Sequence, residues 1–307
     1  MPPPAALLAL LLAGAAAAPG RQAARPGPAP AIPAASSAGR WLPPEELAGR
    51  CAGLPAEGRG RVAVYLPRGT PGPGGWPLAI ALHGWGHRPD HWRALGLAEL
   101  ADRHGVAVVL PEMGTSVYEH RLYPETRRAW GSLPGACWIG DVVLPWARRT
   151  LPVSAAPRRT AILGYSTGGR GALVVAGRYP EFAFAGSLSG TFDLARLRPS
   201  DGEYAIHAEV FGPRAGQTDR WRDEDIGPLL PGLARTAIFA AQGAVDGVLR
   251  PDQLEVLAVA KGRGSPAVRL VEVAGAGHDE RFWRGELPEL FLALAAALDL
   301  APAPAPG

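Results

Sequence analysis

The stretch Thr160-Ala-Ile-Leu-Gly-Tyr-Ser-Thr-Gly168 decides the fold. Thr160 to Tyr165 reads as a strand, and Gly168 to Arg178, a run of small and apolar residues, reads as a helix. Between them Gly164-Tyr165-Ser166-Thr167-Gly168 matches Gly-x-Ser-x-Gly, and a strand-turn-helix setting is what that motif requires. So sharp a turn presses backbone against its neighbours, which is why glycines flank it. Ser166 then stands at the top of a sheet and at a helix N-terminus, where unpaired N–H groups and the helix dipole favour negative charge. A plainer reading is a Gly-rich turn whose serine caps the helix.

Outward from this stretch, further strands are expected at Arg61–Leu66, Leu78–Leu82, Val106–Leu110, Phe182–Leu188, Ala237–Ala241 and Val268–Val273. Helical spacing covers Asp90–His104, Asp141–Thr150 with Pro145 inside it as a kink, Pro251–Lys261 and Glu286–Leu300. Met113–Ala136 has no clean period and reads as an ordered loop region, and Thr191–Leu233 as a long polar insertion. Continuous apolar strands alternating with helices imply an α/β fold: a mostly parallel central sheet with helices on both faces. No period of 20 to 50 residues marks a solenoid. In such sheets chemistry collects at the C-terminal strand ends. That rule points to His83, Pro111-Glu112, Ser166, Ser189, Asp246 and His278.

Composition bounds the rest. The 307 residues are 47% hydrophobic and 19% charged, an ordinary globular balance that excludes a wholly disordered chain or a coiled coil. The net charge of +3, from 31 Lys+Arg against 28 Asp+Glu, gives no support to a nucleic-acid partner. The apolar run Leu7–Ala18 is too short to span a bilayer. With the small residues at its end it reads as a signal peptide over residues 1–18, although Met1-Pro-Pro-Pro4 carries no basic residue. Residues 19–40 are a Pro/Ala-rich linker, 41–300 the catalytic domain and 301–307 a Pro/Ala tail. A secreted or periplasmic location follows from the leader. There Cys51 and Cys137 would pair as a disulfide, and with no Cys-x-x-Cys spacing neither is expected to hold a metal.

A serine hydroxyl needs a base to take its proton. Of the seven histidines only His278, in Gly275-Ala-Gly-His-Asp-Glu280, follows the last strand. The chain order Ser, acid, His puts the base there. The acid that orients it is expected at Asp246, in Gln242-Gly-Ala-Val-Asp-Gly247, with Asp193 as the rival. Two backbone N–H groups should face the developing oxyanion: that of Thr167, and that of Trp85 in the early loop Leu82-His-Gly-Trp-Gly86. His83 is read as bracing this loop. Tyr118, Tyr123, Trp130, Trp138 and Trp283 are either an aromatic acyl or sugar pocket or packing residues.

With these residues in hand, the chain resembles a known group. Leu82-His-Gly-Trp-Gly86, Val109-Leu-Pro-Glu112, Leu163-Gly-Tyr-Ser-Thr-Gly-Gly169, Arg178-Tyr-Pro180, Gly186-Ser-Leu-Ser-Gly190, Asp246 and Gly277-His-Asp279 with Phe282-Trp283 are similar to the "putative esterase" family. That family includes esterase D (S-formylglutathione hydrolase), feruloyl esterase domains and mycolyltransferases. The likeness runs from about Arg61 to Leu300. It implies an α/β-hydrolase fold, a Ser166-Asp246-His278 triad and no cofactor. Thr167 stands where the family often has methionine, but only the backbone N–H is needed there. The expected function is carboxylic-ester hydrolysis through an acyl-enzyme, on a small-molecule or polysaccharide-linked ester. Acyl transfer to a sugar hydroxyl uses the same chemistry. A non-catalytic binding protein on the same fold would be favoured only if a triad residue were missing. The resemblance names neither the substrate nor the oligomeric state.

Overall fold

The computed structural model describes residues 38–54, 56–126, 133–248, 251–262 and 266–300. The expected leader, most of the expected linker, the tail and Trp130 lie outside the described residues. Eight strands form one sheet: β1 (Arg40–Gly49), β2 (Gly58–Leu66), β3 (Leu78–Leu82), β4 (Ala107–Glu112), β5 (Thr160–Tyr165), β6 (Phe184–Leu188), β7 (Ala237–Gly243) and β8 (Val268–Val273). Their order is β1-β2-β4-β3-β5-β6-β7-β8. The β1–β2 and β2–β4 pairs are antiparallel, and the pairs from β4 through β8 are parallel. The helices are α1 (Asp90–Ala94), α2 (Leu97–His104), α3 (Gly135–Trp138), α4 (Leu144–Thr150), α5 (Thr167–Arg178), α6 (Gly202–Phe211), α7 (Thr218–Asp223), α8 (Glu255–Gly262) and α9 (Glu280–Ala297). This is an α/β-hydrolase fold.

The continuous apolar strands are explained by two cores, one on each face. Leu78, Ile80 and Leu82 face one way, with Ile162 and the α5 residues Ala172 to Ala176. Ala79 and Ala81 face the other way, with Leu163, Phe239 and the α9 residues Leu287, Leu290 and Phe291. Every residue of β3 is fully buried, so each large side chain there contributes about 1.5–3 kcal/mol. A third, smaller cluster, Val117, Tyr123, Leu194, Leu197, Val210, Phe211 and Trp221, sits inside the Thr191–Leu233 insertion and the loop after β4. The insertion is therefore less polar in practice than its composition, because α6 and α7 turn their apolar residues onto that loop.

Four local expectations are corrected. The Asp90–His104 helix is broken at Gly96, which has φ +86° and separates α1 from α2. The Asp141–Thr150 helix begins earlier, at Gly135, and runs through a π-helical turn, Ile139–Val143, into α4. Pro145 lies in the first turn of α4, and its missing N–H loosens the turn before it. Pro251–Leu254 is a 3₁₀ turn leading into α8. The Glu286–Leu300 helix begins earlier, at Glu280, and ends at Ala297. The edge strand β1, which contains Pro43-Pro44, had no counterpart among the expected strands. A register shift between Leu42 and Glu45 accommodates the two prolines.

Cys51, just after β1, is joined by a disulfide to Cys137 in α3, with Cα atoms 5.7 Å apart. Among the described residues no helix is long and apolar enough to cross a membrane.

Candidate active site

Three strand ends bring three side chains into line. Ser166, between β5 and α5, has φ 54° and ψ −129°, a conformation that costs a non-glycine residue of order 1–3 kcal/mol. Its N–H is bonded to Leu188 O at 2.8 Å, and its carbonyl accepts from Arg170 N at 3.2 Å. The motif glycines are needed for close approach: a Cβ on Gly164 would lie 2.1 Å from Gly168 O, and one on Gly168 would lie 2.2 Å from Leu82 O. The Gly164–Gly168 turn is thus pressed directly beneath the loop that follows β3.

His278 follows β8. Its Nε2 lies 3.0 Å from Ser166 Oγ, and its Nδ1 lies 2.8 Å from Asp246 Oδ2. A carboxylate cannot donate, so Nδ1 carries the proton and Nε2 presents its lone pair to the serine hydroxyl. Asp279 caps α9 by accepting from Phe282 N at 2.9 Å, which fixes the backbone next to His278. The Trp283 ring meets the imidazole edge-on, centroids 5.4 Å apart, and its Nε1 donates to Ser189 Oγ at 3.2 Å. Asp246 follows β7, and its Oδ1 accepts from Val248 N at 2.8 Å. Asp193, the rival acid, is engaged elsewhere. It accepts from Arg196 N at 3.1 Å and pairs with the Arg196 guanidinium at 3.0 Å.

The Leu82–Gly86 loop arches over the serine. A Cβ on Gly84 would stand 3.1 Å from Ser166 Cβ and 2.9 Å from the Tyr165 ring. The Gly84 carbonyl lies 2.8 Å from His83 Nδ1 and accepts from His87 N at 3.1 Å. Met113 N donates to His83 Nε2 at 2.9 Å, so His83 is the neutral tautomer protonated on Nδ1. Burial holds its pKa down to about 4. Because a trans peptide points its C=O and N–H in opposite directions, anchoring Gly84 O aims the Trp85 N–H the other way. Thr167 is buried and opens α5, so its N–H has no acceptor within the helix.

The described aromatic residues of the expected pocket, Tyr118, Tyr123, Trp138 and Trp283, are all below 10% exposed. A buried polar set was not foreseen. Arg170 of α5 donates to Val117 O and Glu224 O. Glu224 accepts from His120 N at 3.0 Å and from Tyr123 Oη at 2.8 Å. Glu203 of α6 accepts from Thr191 Oγ1 at 3.1 Å. Only Arg170 left a mark in the sequence, a charge among the small and apolar residues near the start of α5.

Comparison with known proteins bears on the family and the fold. The family described as "Putative esterase" matches residues 56–294. Solved structures similar to the chain include an S-formylglutathione hydrolase from Agrobacterium tumefaciens, at 18% identity and TM-score 0.64, covering 83% of this chain and 95% of that one. Mycobacterium tuberculosis MPT51 (FbpC1) is 19% identical with TM-score 0.63, covering 84% and 99%. A ferulic acid esterase is 18% identical with TM-score 0.60, covering 84% and 98%. Among curated proteins no sequence matches. The chain belongs to the "Putative esterase" family and has the α/β-hydrolase fold of a hydrolase of esterase type.

Proposed function

We propose that the protein is an exported serine esterase that cleaves carboxylic esters through an acyl-enzyme. The observation that carries this reading is the hydrogen-bonded line Ser166 Oγ, His278 Nε2, His278 Nδ1, Asp246 Oδ2, with links of 3.0 and 2.8 Å. Ser166 Oγ attacks the ester carbonyl carbon while His278 Nε2 takes its proton. Asp246 holds the imidazole in the needed tautomer and stabilises its cationic form. The tetrahedral oxyanion is bound by the N–H groups of Trp85 and Thr167. Collapse breaks the C–O bond, and the leaving alkoxide receives the proton from Nε2. Water then attacks the acyl-enzyme, gives its proton to Nε2, and the acid leaves as Ser166 regains its hydrogen.

The substrate is a small-molecule or polysaccharide-linked ester. The disulfide supports an oxidising compartment, secreted or periplasmic. The test compares wild type with Ser166→Ala on p-nitrophenyl esters of rising acyl length, methyl ferulate and S-formylglutathione, beside a fluorophosphonate probe. The variant should lose about three to six decades of kcat and all labelling. Equal labelling of both proteins removes Ser166 as nucleophile.

A further inference from the structure

Tyr118 has no part in the chemistry just described, yet it is held at every point. Its φ is +56°, a costly conformation for an aromatic residue, and its N–H reaches Ser116 Oγ at 2.9 Å. The side chain is fully buried against α5, where a Cβ on Gly171 would stand 2.4 Å from Tyr118 Cγ. Behind it, a Cβ on Gly135 would stand 2.9 Å from Tyr118 Cα. Its hydroxyl donates to His83 O at 2.7 Å. One residue earlier, Val117 O accepts from Arg170 at 2.6 Å, and Arg170 N is bonded to Ser166 O. Residues 117–118 therefore bridge the helix that begins at the serine and the loop that arches over it.

A residue that only fills the core needs neither a positive φ nor a hydroxyl. Phenylalanine in ordinary backbone would pack as well. What the hydroxyl reaches is informative. Gly84 is flanked by two peptide planes. The second is fixed by His83 Nδ1 and His87 N at Gly84 O, and the first by Tyr118 at His83 O. With both planes held, the Trp85 N–H has one direction relative to Ser166. We infer that Tyr118 is a positioning residue that clamps the oxyanion loop to the nucleophile helix and so aims the Trp85 N–H. This rests on the esterase reading and deepens it. Burial raises the phenol pKa far above its usual value, so the hydroxyl stays a donor.

Tyr118→Phe removes one oxygen atom and tests the clamp. For p-nitrophenyl acetate, kcat should fall about tenfold with KM within roughly twofold. Affinity for a trifluoromethyl ketone, whose hemiketal oxygen mimics the oxyanion, should fall by the same factor. Amide exchange over residues 83–87 should quicken about tenfold while β5 and α9 keep their rates. Gly171→Ala pushes a methyl group into the ring but leaves the hydroxyl. It should move the same readouts in the same direction, and it serves if the phenylalanine variant does not fold. Unchanged exchange at 83–87, or a raised KM at constant kcat, overturns the proposal. If wild type hydrolyses no ester, the esterase reading fails, and the exchange rates still decide whether Tyr118 holds the loop.

Discussion

His278 Nδ1 lies 2.8 Å from Asp246 Oδ2, and the two loops that carry these residues are sewn together by their backbones. Ala244 N donates to Val273 O at 2.9 Å and Val245 N to Ala276 O at 3.0 Å. A Cβ on Gly243 would come within 2.2 Å of Ala276 O. The acid and the histidine therefore keep their spacing without help from substrate. Asp246→Asn should lower kcat by about 10⁴, because the imidazole then takes the wrong tautomer, with little change in melting temperature. Asp193→Asn should change kcat less than about tenfold, since that side chain only caps and pairs locally. Steady-state kinetics of both variants check this, and the reverse pattern would move the acid to Asp193.

His83 anchors Gly84 O and accepts from Met113 N. His83→Ala should cost about 10- to 100-fold in kcat, less than outright loss of an oxyanion donor would at the upper end. Its pKa is depressed to about 4 by burial, so the neutral form is the one the fold favours. The stability this contributes is present above the unfolded value of about 6.5 and is lost as pH falls towards 4. The stability gap between wild type and His83→Ala, read by denaturant melts, should narrow over that interval. A gap that widens on acidification would show that the buried ring is charged.

Glu119 is buried in the loop after β4, and burial pushes its pKa up to about 8. Its Oε2 has no hydrogen-bond partner among the described residues. In the unfolded chain the carboxyl ionises near 4.3, so between that value and 8 unfolding releases a proton and stability falls as pH rises. Glu119→Gln cannot ionise. It should raise the melting temperature by several degrees at pH 8 and far less at pH 5. An equal shift at both values would mean the carboxyl is already charged in the fold.

The Cys51–Cys137 bond closes a loop with a sequence separation of 86. Its loss should cost up to about 4 kcal/mol. The Cys51→Ala, Cys137→Ala double variant should therefore melt roughly 10 °C lower. Thiol titration of denatured, unreduced protein should find no free thiol, and two free thiols in exported material would refute the pairing in solution.

The parallel half of the sheet was legible because β3 and β5 are apolar runs of strand length bounded by turns and β8 mixes apolar with charged residues, and all three occur with the expected limits. The serine, the acid and the histidine could be picked out because each lies in the loop or turn that follows a strand, and the structure brings all three within hydrogen-bonding reach. What stayed hidden depends on partners distant in sequence. β1 is a strand only because β2 pairs with it around a bulge. The break at Gly96 is a matter of one backbone angle within an otherwise periodic stretch. Glu203 and Glu224 look like surface acids in sequence, and only the folding back of the insertion buries them.

Trp85 packs against the third apolar cluster, whose members come from the insertion and from the loop after β4. One residue thus belongs both to the loop that arches over Ser166 and to the wall that the insertion builds. Grafting an insertion from a related protein would disturb the seat of the Trp85 indole and with it the peptide held over Ser166. Under the proposed esterase function, selectivity and turnover are not independent modules. A successful exchange would have to carry over residues 117 and 123, from the loop after β4, together with the insertion.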